Sequence, residues 1–262
     1  MSETDEILLL ERRDGVVRMT LNDVARRNAL SPALLDALHG ALREGSSDED
    51  VRAMVITNAG SVFCAGADLA AAGTSAGDHA TLADVLLAIE ESPKPVIGRI
   101  GGHAFGGGLG LAAACDISIA SSEARFGFTE VRLGVAPAII SVVCLPKLRR
   151  SDALELFLTA ERFEATRAVA SGLITRAVEP ARLDAEVDEV IAAVLRGAPG
   201  ALAVAKRLAL GHDREASREA YAAMTELSQA LFAGAEAAEG IAAFRERRAA
   251  AWVPLGLGGA RT

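Results

Sequence analysis

The residues with the most chemical consequence are glycines, and they gather in two places. Phe63-Cys64-Ala65-Gly66-Ala67-Asp68-Leu69 follows a strand-like run and a turn, and residues 101–110 carry six glycines after the next such run. Without a Cβ, glycine lets backbone N–H groups come close to a ligand. The second cluster leads into an apolar helix, whose N-terminus presents free N–H groups and the positive end of the helix dipole. Two such donors aimed at one oxygen stabilise a developing oxyanion or enolate, each contributing about 3–4 kcal/mol in well-studied enzymes. The same residues also suit tight turns and close packing, and composition alone does not separate the two uses.

Other chemistries find less support. The chain has no G-x-x-x-x-G-K-[ST] phosphate loop and no G-x-S-x-G nucleophile elbow. Gly108-Leu109-Gly110-Leu111-Ala112-Ala113 matches part of a dinucleotide fingerprint, but it lies deep in the chain with three further glycines just ahead of it, a weak signal. His39, His79, His103 and His212 are scattered. Cys64, Cys115 and Cys144 sit in apolar surroundings at wide spacing, which suggests small buried hydrophobes in a reducing compartment rather than a zinc site or disulfides. No metal and no cofactor are expected. Tyr221 and Trp252 are lone aromatics, read as anchors for helix packing.

With 262 residues, 51% hydrophobic and 24% charged, the chain is neither disordered nor a disulfide miniature, and it can bury an ample core. The net charge of −8 argues against nucleic acid or an anionic membrane as partner, though a local basic patch remains compatible with it. Residues 1–6 are acidic and polar, unlike a secretory signal, and no uncharged apolar run is long enough to span a bilayer. A cytoplasmic protein is expected.

The elements that must position the glycines follow from periodicity. Residues 7–10 and 16–21 predict a hairpin around Arg13-Asp14-Gly15. Ser31-Pro32 opens a helix whose apolar stripe is Leu34, Leu35, Leu38, Ala41 and Leu42. Residues 51–57 predict a buried strand, 58–73 a loop, and 81–91 a helix stopped by Pro93 and Pro95. A strand over 96–100, a buried helix over 109–115 and a strand over 116–120 come next. A helix over 151–159 with Ser151 as its cap, a helix ending at Gly172 and a strand over 173–178 follow. From Pro180 to Trp252 the pattern is helical, and residues 254–262 form a glycine-rich tail expected to be flexible. Alternating strands and helices imply an α/β fold, with one candidate boundary near residue 195.

The glycine segments belong to a wider pattern. Pro93-Lys94-Pro95-Val96-Ile97, Gly106-Gly107-Gly108, Ala114-Cys115-Asp116-Ile117, Ala124-Arg125-Phe126-Gly127 and Glu130-Val131-Arg132-Leu133-Gly134 stand in order along the chain. Arg27-Asn28-Ala29-Leu30 lies ahead of them, Leu158-Thr159 and residues 170–173 follow, and Glu239-Gly240 through Phe244 lies near the end. Together with residues 63–69, this set resembles the crotonase (enoyl-CoA hydratase/isomerase) superfamily over nearly the whole chain. The resemblance implies a crotonase-like spiral of ββα repeats over residues 1–195 and a helical C-terminal trimerisation region over 196–262, hence a homotrimer or hexamer. It implies an acyl-CoA thioester as substrate, with CoA belonging to the substrate. It places the oxyanion donors on Ala65 and Gly107, the substrate lining on Ala65, Gly66, Ala67 and Asp68, a CoA contact at Arg26-Arg27, and a general base at Glu130. Asp68 also suits a capping role, and His103 lies close enough to the glycine loop to meet an acyl chain.

Two departures stand out. Hydratases of the family generally carry a second glutamate, and this chain has Gly110 there. The segment after Gly134 reads Val135-Ala136-Pro137-Ala138-Ile139-Ile140-Ser141, bulkier than the family's glycine-rich version and bound to reshape the pocket wall. With Gly110, this segment looks like the branch of methylglutaconyl-CoA hydratases, which points toward branched-chain amino acid degradation within fatty acyl metabolism. Three functions follow: a hydratase of 2-enoyl-CoA with one glutamate, alone or helped by a substrate carboxylate; a Δ3–Δ2 enoyl-CoA isomerase or other enolate-forming lyase; or a non-catalytic acyl-CoA-binding protein.

Overall fold

The computed structural model describes residues 6–69, 79–211 and 214–254. Strand β1 (Leu8–Arg13) turns through Asp14 and Gly15, both at positive φ, into β2 (Val16–Leu21). Helix α1 (Pro32–Ser47) starts where Ser31 accepts a hydrogen bond from the Leu34 amide, and all five stripe residues are buried. Next come three strand–strand–helix units. They are β3 (Ala53–Asn58), β4 (Val62–Cys64) and α2 (Leu82–Glu91); β5 (Val96–Ile100), β6 (His103–Phe105) and α3 (Gly107–Ala114); and β7 (Ile117–Ser121), β8 (Arg125–Gly127) and α4 (Ala138–Cys144). Helix α5 (Arg150–Thr159), β9 (Phe163–Glu164), α6 (Ala165–Ala170) and β10 (Arg176–Val178) complete the strands.

The first strand of each unit joins one sheet of order β1-β2-β3-β5-β7-β10, parallel from β2 onward; the second joins a small sheet of order β4-β6-β8-β9. The expected loop over 58–73 therefore contains β4, and its residues 70–73 lie outside the described residues. Both faces of the large sheet are covered, as a parallel sheet requires. Met54, Ile56 and Val96 face α1, α2 and α3, whereas Val55, Ile97 and Ile119 pack on Leu183, Val187 and Val190 of α7 (Leu183–Leu195).

Three helices follow: α8 (Pro199–Leu210), α9 (Arg214–Phe232) and α10 (Ala235–Glu246). Lys206 pins α8 to the core, pairing with Asp116 at 2.8 Å and donating to the Ile89 carbonyl at 2.7 Å. Tyr221 is buried on α9 and donates to Glu90 at 3.2 Å, an anchor as expected. Trp252, expected to be an anchor, is 43% exposed and lies past the left-handed residue Arg247 that ends α10. Ser151 is not the cap of α5. Arg149 holds that position and pairs with Asp152 in the first turn at 2.7 Å, leaving Ser151 inside the helix. The tail over 255–262 and His212 lie outside the described residues. Among the described residues no helix is long and apolar enough to cross a membrane.

Candidate active site

Strand β4 delivers Ala65 and Gly66 to the point where the chain meets the start of α3. Gly66 has φ +92, and a Cβ there would lie 2.9 Å from the Phe105 carbonyl oxygen and 3.4 Å from the Gly107 nitrogen. Only glycine meets both conditions. The segment Arg27-Asn28-Ala29-Leu30 clamps this loop from the other side. Asn28 is fully buried at φ +53, and its side-chain amide donates to the carbonyls of Val62 (2.8 Å) and Ala59 (3.2 Å). The Leu30 amide donates to the Gly66 carbonyl at 2.8 Å.

That clamp corrects one expectation. The Ala65 N–H donates to the Arg27 carbonyl at 3.1 Å, so it is engaged within the protein and is not a free oxyanion donor. Two residues on, Ala67 is exposed, and among the described residues no backbone acceptor takes its N–H. Gly107 differs from Ala65 in being the first residue of α3, where helix geometry leaves the N–H without an intrahelical acceptor. The preceding Gly106, at φ +51, donates to the Gly127 carbonyl at 2.9 Å and accepts from Leu109 and Gly110, which fixes the direction of the helix start. All eight residues of α3 are buried.

Glu130 comes from a 3-10 turn, Glu130–Leu133, closed by Gly134 at φ +76. Helix α10 presses on that turn: a Cβ on Gly134 would lie 2.3 Å from the Glu236 carbonyl oxygen, and one on Gly240 would lie 2.4 Å from Leu133. The motif glycines near the chain end therefore hold Glu130 in place. Its carboxylate reaches Gly106, where a Cβ would meet Oε1 at 3.2 Å. Oε2 is shielded from solvent and has no hydrogen-bond partner among the described residues. Burial pushes the carboxyl up from 4.5 to about 7, opposed by its own backbone amide. A group titrating there can take and return a proton near neutral pH.

Gly110 is not an empty place for an acid. A Cβ on it would meet Ile140 Cγ2 at 2.2 Å and Cβ at 2.7 Å, so Ile140 fills the space.

The remaining residues divide plainly. Asp68 pairs with Arg26 at 3.7 Å, and Arg26 also pairs with Asp23 at 2.9 Å. The Arg27 side chain is exposed beside this pair, and its φ of +55 serves the clamp. His103 accepts a hydrogen bond from the Arg125 amide at 3.1 Å through Nδ1, and burial with two nearby arginines lowers its pKa. It supports the small sheet. His79 pairs with Asp36 at 2.5 Å, and His39 lines an open cavity of about 620 Å³ between α1 and α2 that none of the glycine-loop residues borders. The three cysteines are free and buried, their thiols pushed up to about 12. Among the described residues no cluster of side chains suits a metal ion. Sequence reasoning placed Ala67 in the substrate lining without singling out its N–H, and it named Ile140 only as part of a bulky segment, not as the side chain that fills the space at Gly110.

Comparisons with known proteins bear on this geometry. The family model described as enoyl-CoA hydratase/isomerase matches residues 11–254. A crystal structure of an enoyl-CoA hydratase from Mycobacterium avium is 42% identical with a TM-score of 0.84, covering 95% of this chain and 100% of that one. A carnitinyl-CoA hydratase from the same organism is 32% identical with a TM-score of 0.85, covering 94% and 98%. The 2,3-dehydroadipyl-CoA hydratase of Escherichia coli is 34% identical across 92% of this chain and 96% of its own. The chain is an enzyme of the enoyl-CoA hydratase/isomerase family and has the crotonase fold, its ββα units and glycine loops included.

Proposed function

We propose that the protein adds water across the double bond of a 2-enoyl-CoA thioester, with Glu130 as the single acid–base group. The observation that carries this reading is the Glu130 carboxylate, desolvated, unpaired at Oε2 and set against Gly106 beside the first amide of α3. The thioester oxygen accepts hydrogen bonds from the Gly107 and Ala67 N–H groups. Glu130 takes a proton from water as the water oxygen bonds to C3, and the C2–C3 π electrons move onto the thioester as an enolate. The protonated Glu130 then returns a proton to C2, so atoms and charge balance. Gly66 and Asp68 line the approach, and Arg27 meets the CoA phosphates. No metal or cofactor is required.

A second reading is Δ3–Δ2 isomerisation, in which Glu130 carries a proton between C2 and C4. Ile140 in the space beside Gly110 favours it, because one base suffices without a held water. For assembly we propose a homotrimer or a hexamer built from trimers. The support is the exposure of Leu154, Leu158, Leu208, Phe244 and Trp252 on and beside the later helices.

Incubation with a panel of 2-enoyl-CoA and 3-enoyl-CoA thioesters in heavy-oxygen water separates the readings. Hydration removes the conjugated enoyl absorbance and places solvent oxygen in the product. Isomerisation of 3-enoyl substrates creates that absorbance and incorporates none. Tight binding without turnover of any thioester would defeat both.

A further inference from the structure

The face of α3 that meets Glu130 continues one turn further, to Gly110. The Gly110 amide donates to the Gly106 carbonyl at 3.1 Å, so the two glycines succeed each other along the helix start. Side chains of other elements cover both, with Thr129 Oγ1 lying 3.8 Å from the Cβ position of Gly106 beside Glu130. Glu130 covers Gly106, and Ile140, 2% exposed, covers Gly110. A second path leads to the same place along α4. Cys144 lies one turn beyond Ile140, and its thiol is disfavoured from ionising chiefly by burial and, to a lesser extent, by the charge of Glu130. The first path puts hydrocarbon beside the carboxylate, since Ile140 is apolar and the α3 sequence Gly-Gly-Leu-Gly-Leu-Ala-Ala-Ala has no titratable side chain.

Building on the reading of Glu130 as the base, we propose that Ile140 is a positioning residue for it: locked into the Cβ space of Gly110, Ile140 closes the α4 side of the carboxylate to water and to any second acid. A wall of this kind makes the charged form of Glu130 costly and restricts the acyl groups that fit against α4 to apolar ones. The charged and titratable groups on the elements around the turn are Cys144 on α4 with Lys147 just beyond it, Arg132 on the turn, and Glu236, Glu239, Arg245 and Glu246 on α10. Arg132 reaches the Thr159 carbonyl and Glu239 is bound by Arg248, so both have partners of their own.

The test uses Ile140→Val, Ile140→Ala and Ile140→Ser in the full chain. Two readouts are followed: the pH profile of kcat/KM with a thioester that the protein turns over, and a carbon-13 titration of the Glu130 carboxyl, assigned by its loss in Glu130→Gln. In the unmutated protein burial of Glu130 should put the midpoint at about 7. It should fall through Val, Ala and Ser toward the ordinary glutamate value of about 4.3, with KM changing less than kcat/KM. A residue that only fills space would lower Tm in each variant and leave the midpoint in place. An unchanged midpoint in the folded Val or Ala variant overturns the proposal. If no thioester is turned over, the reading of Glu130 as base fails by itself, and the carbon-13 titration still decides the role of Ile140.

Discussion

The carboxylate of Glu130 lies against the backbone of Gly106, one residue before the first amide of α3. Two effects act on it in opposite directions. The positive end of a helix favours a nearby negative charge by about 0.3–2 kcal/mol. A rise from 4.5 to about 7 means that burial disfavours the charge by a net amount of about 3 kcal/mol. Desolvation wins, and it leaves a carboxyl that exchanges protons near neutrality beside N–H groups suited to an oxyanion.

That balance has a cost in stability. The folded-state value lies above the unfolded one, so between about 4.5 and 7 the folded protein holds a proton that the unfolded chain has released. Stability therefore falls as pH rises through this window, and the penalty is complete above it. Glu130→Gln should be more stable than the parent at pH 8, by at most about 3 kcal/mol. The advantage should shrink to nothing near pH 4.5. Denaturant unfolding at several pH values checks this.

Gly107 supplies an amide, and its side of the argument separates donor from shape. Proline is tolerated at the first position of a helix but has no N–H. A Cβ at this position meets the side-chain ends of Leu30 at 2.8 Å and Leu82 at 3.0 Å, and the Gly66 Cα only at an ordinary contact distance of 3.9 Å. Gly107→Pro should lower turnover by at least ~10²-fold, and Gly107→Ala, which keeps the donor, should lose far less. Steady-state kinetics on both variants, with circular dichroism to verify folding, reads the difference.

Asn28 holds the loop that carries Ala65 to Ala67. Asn28→Ala removes a buried donor from two carbonyls and forces alanine into a left-handed φ of +53. We expect a loss of about 2–4 kcal/mol in unfolding free energy, combining unsatisfied acceptors with backbone strain. Asn28→Gly relieves the strain and should recover part of it. Chemical denaturation of the two variants distinguishes the contributions.

Much of the large sheet was legible because its strands are five or six residues long and its first helix begins with Ser31-Pro32. The small sheet was not. Strands β4, β6, β8 and β9 have two or three residues each, too few for an alternating pattern; glycines flank β6 on both sides, and β8 ends in one. This also hid the ββα repeat from inspection of periodicity. Gly66 and Gly107 stood out as candidates from the glycine clusters themselves, and Glu130 through the motif resemblance. The engaged amide at Ala65 did not, because its acceptor, Arg27, lies 38 residues away in sequence and is brought there by the Asn28 clamp. The pairing of Gly110 with Ile140 was invisible for the same reason: a side chain missing in one element is explained by a larger one in another.

The central claim is that one carboxylate, Glu130, carries the chemistry on an acyl-CoA thioester. Turnover and thioester affinity of Glu130→Gln, measured beside the parent protein on the best substrate of the panel, test it most directly. Glutamine keeps size and hydrogen bonding but not basicity. The account predicts a fall in kcat of at least ~10²-fold with affinity nearly unchanged. Full activity in Glu130→Gln would contradict it.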